Sequence, residues 1–557
     1  MSCSPRLRLA LAALVLAAAG CRGAEPFALD GAFVAPPEQV AFRAGVATAD
    51  FTPRDEPYPL GGYGGGERRA EWPFWMGLGW PGQLALWAHQ AWHEDDPEGQ
   101  HDMLTPNQGV HDPITARALV LRPEGQPPLA LVRVDAIGMT AELHQAVARQ
   151  VAALGFRPEG VVLCATHTHS GVACYMRSGL GRLAAMDNFR PEVEARIARA
   201  CVEAIRQAHD GAVPAALRFG RARDRGPDGQ PVVAANRRAR RLPPGTIPRD
   251  AIDDEVGLLQ VVRRDDASTV ALVVNYAVHP TVFGTDHLEF SADLAGGIER
   301  GFSERLGGAP VLFVNGAEGD VRPSRIEARR GWARCLELGA ALADLALPAL
   351  ERAPLHERIR VSAATGWKEL GSPRSLLALG RERFLDGEGG VVGVLTFPIT
   401  QAITLPVNLV LWAFGLTNLR VALTWNGGLA IVAHLGGYLD RTRCRVSSLR
   451  LQAGEEDVAL LGIPGEATHD LGLALRAKAA ARGASRTFLL GLAQDHIGYI
   501  ASRREYRRGD YEAWSTLFGE HTAAEISEAH TALLAALGYE PSRSPTYDER
   551  TAPPGDR

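Results

Sequence analysis

The residues of this 557-residue chain whose types and spacing could do chemistry begin at Thr166-His167-Thr168-His169-Ser170-Gly171. They follow the apolar run 161–165. At the end of a strand residues i and i+2 point the same way, so His167 and His169 are expected side by side. That pattern suits one metal ligand with a neighbour acting on the substrate, or two ligands. His279 before Pro280, Glu466 after Pro464-Gly465, and Tyr499 in Gln494-Asp495-His496-Ile497-Gly498-Tyr499 add further donors. Each also has an ordinary structural use. A single histidine is commonly a hydrogen-bonded core residue, a carboxylate favours a helix N-terminus, and a tyrosine fills space. Zinc takes His nitrogen and carboxylate oxygen readily, and a catalytic zinc site keeps one position open for water.

The elements that must position these residues are short apolar runs that end in polar ones. Run 130–134 precedes Asp135 and a helical pattern over 141–154. Run 161–165 precedes the two histidines, and 270–276 runs into Val278-His279-Pro280. Run 311–314 leads to Asn315-Gly316-Ala317-Glu318-Gly319-Asp320. Run 458–461 leads to Glu466 and a helical pattern over 469–481, and 487–492 leads to Gln494–Tyr499. Runs apolar on both faces predict buried, mostly parallel strands covered by helices. The C-terminal ends of such strands are where α/β sheets place ligands. With no clear linker, the expectation is one large α/β catalytic domain over 43–538.

Composition limits the function classes. Lys and Arg number 59 against 64 Asp and Glu, a net charge of −5, so no nucleic acid partner is expected. At the N-terminus, Arg6 and Arg8 precede an apolar run closing on Ala18-Ala19-Gly20-Cys21. This reads as a secretory signal over 1–20, similar to the bacterial lipoprotein type, with Cys21 lipidated. The chain is then expected to be exported and lipid-anchored to a bacterial membrane, on its periplasmic or cell-surface side. Residues 21–42 read as a tether and 539–557 as a disordered tail. The later cysteines, Cys164, Cys174, Cys201, Cys335 and Cys444, are odd in number and scattered, which is no disulfide framework.

Further stretches carry a resemblance. They are Ala44-Gly45-Val46-Ala47-Thr48-Ala49-Asp50-Phe51-Thr52, Gly109-Val110-His111-Asp112, Arg117-Ala118, Val134-Asp135 and Thr166–Gly171. Asn236-Arg237, Ala277-Val278-His279-Pro280-Thr281, Ser291-Ala292-Asp293, Gly319-Asp320-Val321 and Pro464-Gly465-Glu466 follow. Gly498-Tyr499 and the stretch from Tyr511-Glu512-Ala513-Trp514 to Glu520-His521-Thr522 complete the order. In this order they resemble the catalytic N-terminal domain of the neutral/alkaline (non-lysosomal) ceramidases. The resemblance implies a zinc amidohydrolase that cleaves the N-acyl bond of ceramide, or a related lipid amide, to a sphingoid base and a fatty acid by zinc-activated water. It implies His167, His279, Glu466 and Tyr499 as Zn2+ ligands, with His169 and Arg237 lining the reacting centre. His496 is the second candidate should the tyrosine alignment slip. His169 would move a proton to the leaving amine or hydrogen-bond the oxyanion.

Three departures stand out. In the family stretch Gly-Asp-(Val/Ile)-Ser-Pro-Asn the serine is regarded as essential. Here Gly319-Asp320-Val321-Arg322-Pro323-Ser324 puts Arg322 in its place. A guanidinium cannot attack a carbonyl, but it can hold an anionic group, and Ser324 is displaced by two residues. A non-catalytic lipid-binding relative and a hydrolase of altered specificity are therefore the rival readings. Second, the resemblance ends at His521-Thr522, so the family's C-terminal immunoglobulin-like domain is not expected. Third, Trp72, Trp75, Trp80, Trp87 and Trp92, and the apolar segment 391–416, have no counterpart in the family. They read as extra core and a covering loop, or as an aromatic lid or membrane-facing surface at a lipid entrance.

Overall fold

The apolar runs form strands, and thirteen strands join one sheet. They are β1 (Phe27–Phe33), β2 (Val40–Asp50), β3 (Thr115–Pro123), β4 (Leu129–Val134), β5 (Val161–Ala165), β6 (Val213–Arg223) and β7 (Glu255–Arg263). The others are β8 (Thr269–Tyr276), β9 (Val311–Asn315), β10 (Arg358–Glu369), β11 (Arg443–Ala453), β12 (Glu456–Gly462) and β13 (Arg486–Leu490). The computed structural model describes residues 27–63, 66–68, 104–177, 185–240, 247–324, 331–370, 374–378, 419–423, 429–434, 443–508 and 511–540. The expected signal 1–20, Cys21, the tryptophans at 72–92, the segment 391–416 and the tail from 541 lie outside the described residues.

The main path runs β9-β8-β7-β6-β2-β10-β11-β12-β13, with β1 on β10 and β3, β4 and β5 extending from β2. β2 joins three segments, because its residues pair in turn with β10, β6 and β3. The inner faces of the segments share one apolar cluster, in which Leu131 and Val162 meet Leu259, Val273, Val361, Leu449 and Phe488. Helices cover the outer faces. α1 (Ala141–Val151) and α2 (Pro191–Asp210) lie over β2–β5. α3 (Asp293–Arg305) and α4 (Gly331–Ala346) lie over β7–β9. α5 (His469–Ala480) and α6 (Thr522–Ala536) lie over β10–β13. The chain is thus a mixed α/β fold, a single large domain with a central sheet covered by helices.

Local sequence explains these elements. Thr140 caps α1, its hydroxyl accepting from Leu143 N at 3.2 Å. α2 opens with Pro191 at its first turn and buries Val193, Ile197, Ala200, Cys201, Ala204 and Ala208 along one stripe. α3 and α4 cross at backbone contact, since a Cβ on Gly339 would sit 2.0 Å from the Gly297 carbonyl oxygen. All five described cysteines are buried. Among the described residues no helix is long and apolar enough to cross a membrane.

Two expectations are corrected. The sheet is mixed, not mostly parallel: only β4/β5, β8/β9 and β12/β13 pair parallel, and the remaining pairs are antiparallel. Burial on both faces follows from helices outside and a shared core inside, whichever way a strand runs. The boundaries also move outward. Phe27–Phe33, within the expected tether, is β1 and pairs antiparallel with β10, with Phe33 packed into the central cluster. Tyr539, the first residue of the expected tail, is buried and donates to Asp457 Oδ1 at 2.8 Å.

Candidate metal centre

Each sequence-predicted donor sits just past the C-terminal end of a strand. His167 follows β5, His279 follows β8, Glu466 follows β12, and His496 and Tyr499 follow β13. Two buried asparagines fix these ends to one another. Asn315 Nδ2 donates to the carbonyls of Thr166 (3.0 Å) and Val278 (2.9 Å), the residues that precede His167 and His279. Asn275 exchanges hydrogen bonds with the backbone of Leu489 on β13. Glu466 and Tyr499 are direct partners in a short parallel pairing, 466–467 with 499–500.

The histidines come together by a route different from strand alternation. β5 ends at Ala165, and His167 takes a left-handed backbone, φ 69°, a conformation costly for a non-glycine residue. The rings of His167 and His169 then lie edge to face with centroids 4.9 Å apart, and His279 is 4.7 Å from His167. His167 Nδ1 donates to the Ile137 carbonyl at 2.6 Å and His279 Nδ1 to the Glu318 carbonyl at 2.7 Å. These bonds set the tautomer and aim both Nε2 lone pairs inward.

The donor atoms converge. Glu466 Oε2 is 3.3 Å from His167 Nε2 and 3.3 Å from His279 Nε2, and Tyr499 Oη is 3.4 Å from His279 Nε2. Donors bound tetrahedrally at about 2.0–2.1 Å from one ion stand about 3.3–3.4 Å apart. His167 Nε2 and Glu466 Oε2 are buried with no hydrogen-bond partner. The donor types, separations and unsatisfied atoms therefore fit a metal ion. His167, His169 and His279 form one group that could hold a metal, and His167, Glu318 and Glu466 another. His496 Nε2 lies 3.6 Å from Glu466 Oε1, at the edge of the group.

Electrostatics follow from burial. Burial alone would raise the Glu466 carboxyl, but His167, His279 and His496 outweigh it and hold it well below the usual carboxylate range. Burial, then the Arg237 charge, lowers His279 to about 4. Burial, with His167 and His279 beside it, pushes His169 well below the usual imidazole range. Burial opposes the charge of Arg237, yet Tyr499 and Glu512 raise it well above its ordinary value.

Around this group, Arg237 donates from Nη2 to Tyr499 Oη (2.7 Å) and pairs through Nε with Glu512 (2.5 Å). Its guanidinium also lies over the Tyr499 and Tyr511 rings. His169 packs against Tyr63, and Arg68 Nη1 donates to its carbonyl at 2.9 Å. Arg322 is half-buried on Val321–Pro323, opposite Ala235, and donates to the Pro323 carbonyl. Its neighbour Val321 touches the centre, accepting from His279 N–H at 3.1 Å. Ser324 Oγ donates to the Ala234 carbonyl, so its hydroxyl serves that strand pairing.

Sequence reasoning gave no individual role to Glu318, Asn315, Asn275 or Glu512, although Asn315 and Glu318 lay in a polar stretch at a strand end and Glu512 in a resemblance motif. Glu318 is fully buried, and burial together with Glu466 pushes its carboxyl well above the ordinary range. The available signal was a carboxylate three residues past an apolar strand. The asparagines carried a similar one, each being a polar residue inside or closing such a run.

Residues 99–309 match the family model described as neutral/alkaline non-lysosomal ceramidase, N-terminal. Among curated proteins none matches the chain in sequence. The fold is similar to that of the neutral ceramidase from Pseudomonas aeruginosa, with a TM-score of 0.63 and 18% identity over 92% of this chain and 77% of that one. It is equally similar to a structure described as ceramidase complexed with C2, with a TM-score of 0.63 and 19% identity over 91% and 77%. By the match of residues 99–309 and by its fold, as by its motifs, this chain resembles the neutral/alkaline non-lysosomal ceramidases.

Proposed function

We propose that this chain is a zinc-dependent hydrolase of lipid amides that cleaves the N-acyl bond of ceramide or a close relative. The observation that carries the reading is the convergence of His167, His279, Glu466 and Tyr499 at 3.3–3.4 Å separations. The ceramidase match and fold support the substrate class. These four residues would hold the zinc, which when bound supplies a Lewis acid that polarises a carbonyl and acidifies water.

The chain's own groups do the rest. His169 is buried, and neither ring nitrogen has a hydrogen-bond partner. Kept neutral by its surroundings, it takes a proton from the attacking water and returns it to the leaving amine. Water adds to the amide carbon, the C–N bond breaks, and the products are an amine and a carboxylic acid. Arg237, fixed by Glu512, sets a permanent positive charge beside the developing oxyanion. With Arg322 where the resemblance expects a serine, no hydroxyl is offered there, and water is the nucleophile. The exported, lipid-anchored location read from 1–21 would set this chemistry at a membrane surface.

The test is hydrolysis of a short-chain fluorescent ceramide with and without chelator, beside His167→Ala. Turnover that chelation removes and zinc restores, and that His167→Ala abolishes, is the expected result. Absence of chelator-sensitive turnover on any N-acyl lipid overturns the reading. Arg322 favours a second reading, a substrate with an acidic group. Arg322→Ser should then raise cleavage of neutral ceramide relative to acidic amides.

A further inference from the structure

The resemblance assigns one carboxylate, Glu466, to the metal, yet a second lies with it and His167. Glu318 lies three residues past β9, its side chain is 0% exposed, and neither carboxylate oxygen has a hydrogen-bond partner. One donor atom each from His167, Glu318 and Glu466 lie within 4.8 Å of one another. The surroundings are shaped to admit the side chain. A Cβ on Gly491, just past β13, would stand 2.9 Å from Glu318 Oε2. The Glu318 carbonyl is already committed, accepting from His279 Nδ1, so the residue touches the centre through both backbone and side chain.

A carboxylate deep in a protein is costly unless it is hydrogen-bonded, paired or bound to a metal. Neither oxygen of the Glu318 carboxylate has a hydrogen-bond partner, and one of them lies within 4.8 Å of a donor atom of His167 and of one of Glu466. We infer that Glu318 is a further ligand of the same ion, so that this chain binds its metal through two carboxylates. The inference rests on the metal reading above and adds a residue to it. Two carboxylates balance the charge of a divalent cation and make the donor set richer in oxygen than one does. They also make the metal-free centre less favourable, because the stripped protein buries two facing carboxyl groups without their cation.

The experiment uses the full chain, stripped by dialysis against a chelator. Zinc affinity and stoichiometry are measured by competition with a chromophoric chelator for wild type, Glu318→Gln, Glu318→Ala and Glu466→Gln. Melting temperatures are taken with and without zinc. We expect one ion per chain, at least about tenfold weaker binding in both Glu318 variants, and a higher melting temperature for stripped Glu318→Gln than for stripped wild type. The visible absorption of the cobalt-loaded protein should change in Glu318→Gln. Affinity within twofold of wild type and an unchanged cobalt spectrum in Glu318→Gln, with binding lost in Glu466→Gln, overturns the inference and leaves the metal reading intact. Two ions per chain, the second lost with Glu318, overturns the assignment to a shared ion. Zinc binding that survives Glu466→Gln unchanged overturns the metal reading itself.

Discussion

Glu512 is the residue on which the position of Arg237 depends, and replacing it gives a sharp test. Its carboxylate is fully buried, 2.5 Å from Arg237 Nε and 3.7 Å from Arg238 Nε. At an effective dielectric near 20, attractions over these distances are about 7 and 4 kcal/mol, and desolvation of several kcal/mol per ion offsets much of that. Glu512→Gln keeps the shape and removes the charge that faces Arg237, while Arg238 keeps Glu505 at 3.3 Å. Breaking a buried pair from one side costs about 3–5 kcal/mol. With an unfolding entropy of about 2 cal/mol/K per residue, a chain of 557 residues loses roughly 1 °C of melting temperature per kcal/mol, so a fall of about 3–5 °C follows. Calorimetry of wild type, Glu512→Gln, Arg237→Gln and the double variant closes a thermodynamic cycle. A coupling of about 1.5 kcal/mol or more between the two positions is expected, below full recovery because Arg238 still faces position 512. Additivity within about 0.5 kcal/mol would refute the pairing and, with it, the view that Glu512 holds Arg237 beside Tyr499 and His279.

Two further outcomes follow from the surroundings of the centre. His469 Nδ1 and Asp320 Oδ2 are 2.6 Å apart in the interior; burial opposes both charges, but their attraction raises His469 and lowers Asp320. A raised histidine contributes fully below its unfolded value of about 6.5 and loses that contribution as pH rises through the folded value. The urea-midpoint difference between wild type and His469→Gln should therefore shrink from pH 6 toward alkaline pH, and a constant difference would contradict the pairing. At Gly138, an added Cβ would lie 2.4 Å from the His496 ring. Gly138→Ala should cost about 1–3 kcal/mol by overpacking and weaken metal binding through Glu466; unchanged stability and affinity would show that the close approach is not real.

The sequence made the donors legible and left their convergence to the fold. His167, His279, Glu466 and Tyr499 each follow an apolar run, so their places at strand ends could be read from pattern alone. The adjacency of His167 and His169 was expected from alternation, but a left-handed residue just past β5 produces it. Such a conformation has no signature in a histidine. Glu318 and Asn315 stood in the polar stretch after run 311–314, but their roles were hidden for a different reason. A polar residue after a strand looks like an ordinary loop residue until the chain buries it, and burial here depends on β13 lying across the end of β9. At the termini, composition misled. Asp30 and Gly31 make β1 look like a linker, although its Phe27 and Phe33 pack inward. Strand direction failed because a two-sided apolar run reports coverage on both faces, not the orientation of its neighbour.

That failure was confined to strands that do not build the site. Each of the three parallel pairs is joined by a crossover helix: β4-α1-β5, β8-α3-β9 and β12-α5-β13. In an antiparallel pair one strand leaves its loop where its partner receives one, so the two C-terminal ends lie at opposite edges. A crossover helix returns the chain and puts both C-terminal ends on the same edge. Each unit here delivers two loops to the centre. The first brings Ile137, whose carbonyl orients His167, and then His167 itself. The second brings His279 and then Glu318, and the third brings Glu466 and then His496 and Tyr499. The antiparallel strands between them set the distances at which these three edges meet. The rule that ligands gather at the C-terminal ends of parallel strands thus holds unit by unit in a sheet that is mostly antiparallel. For this reason the strand-then-helix pattern set these residues at strand ends on one edge while overstating the parallel character of the whole.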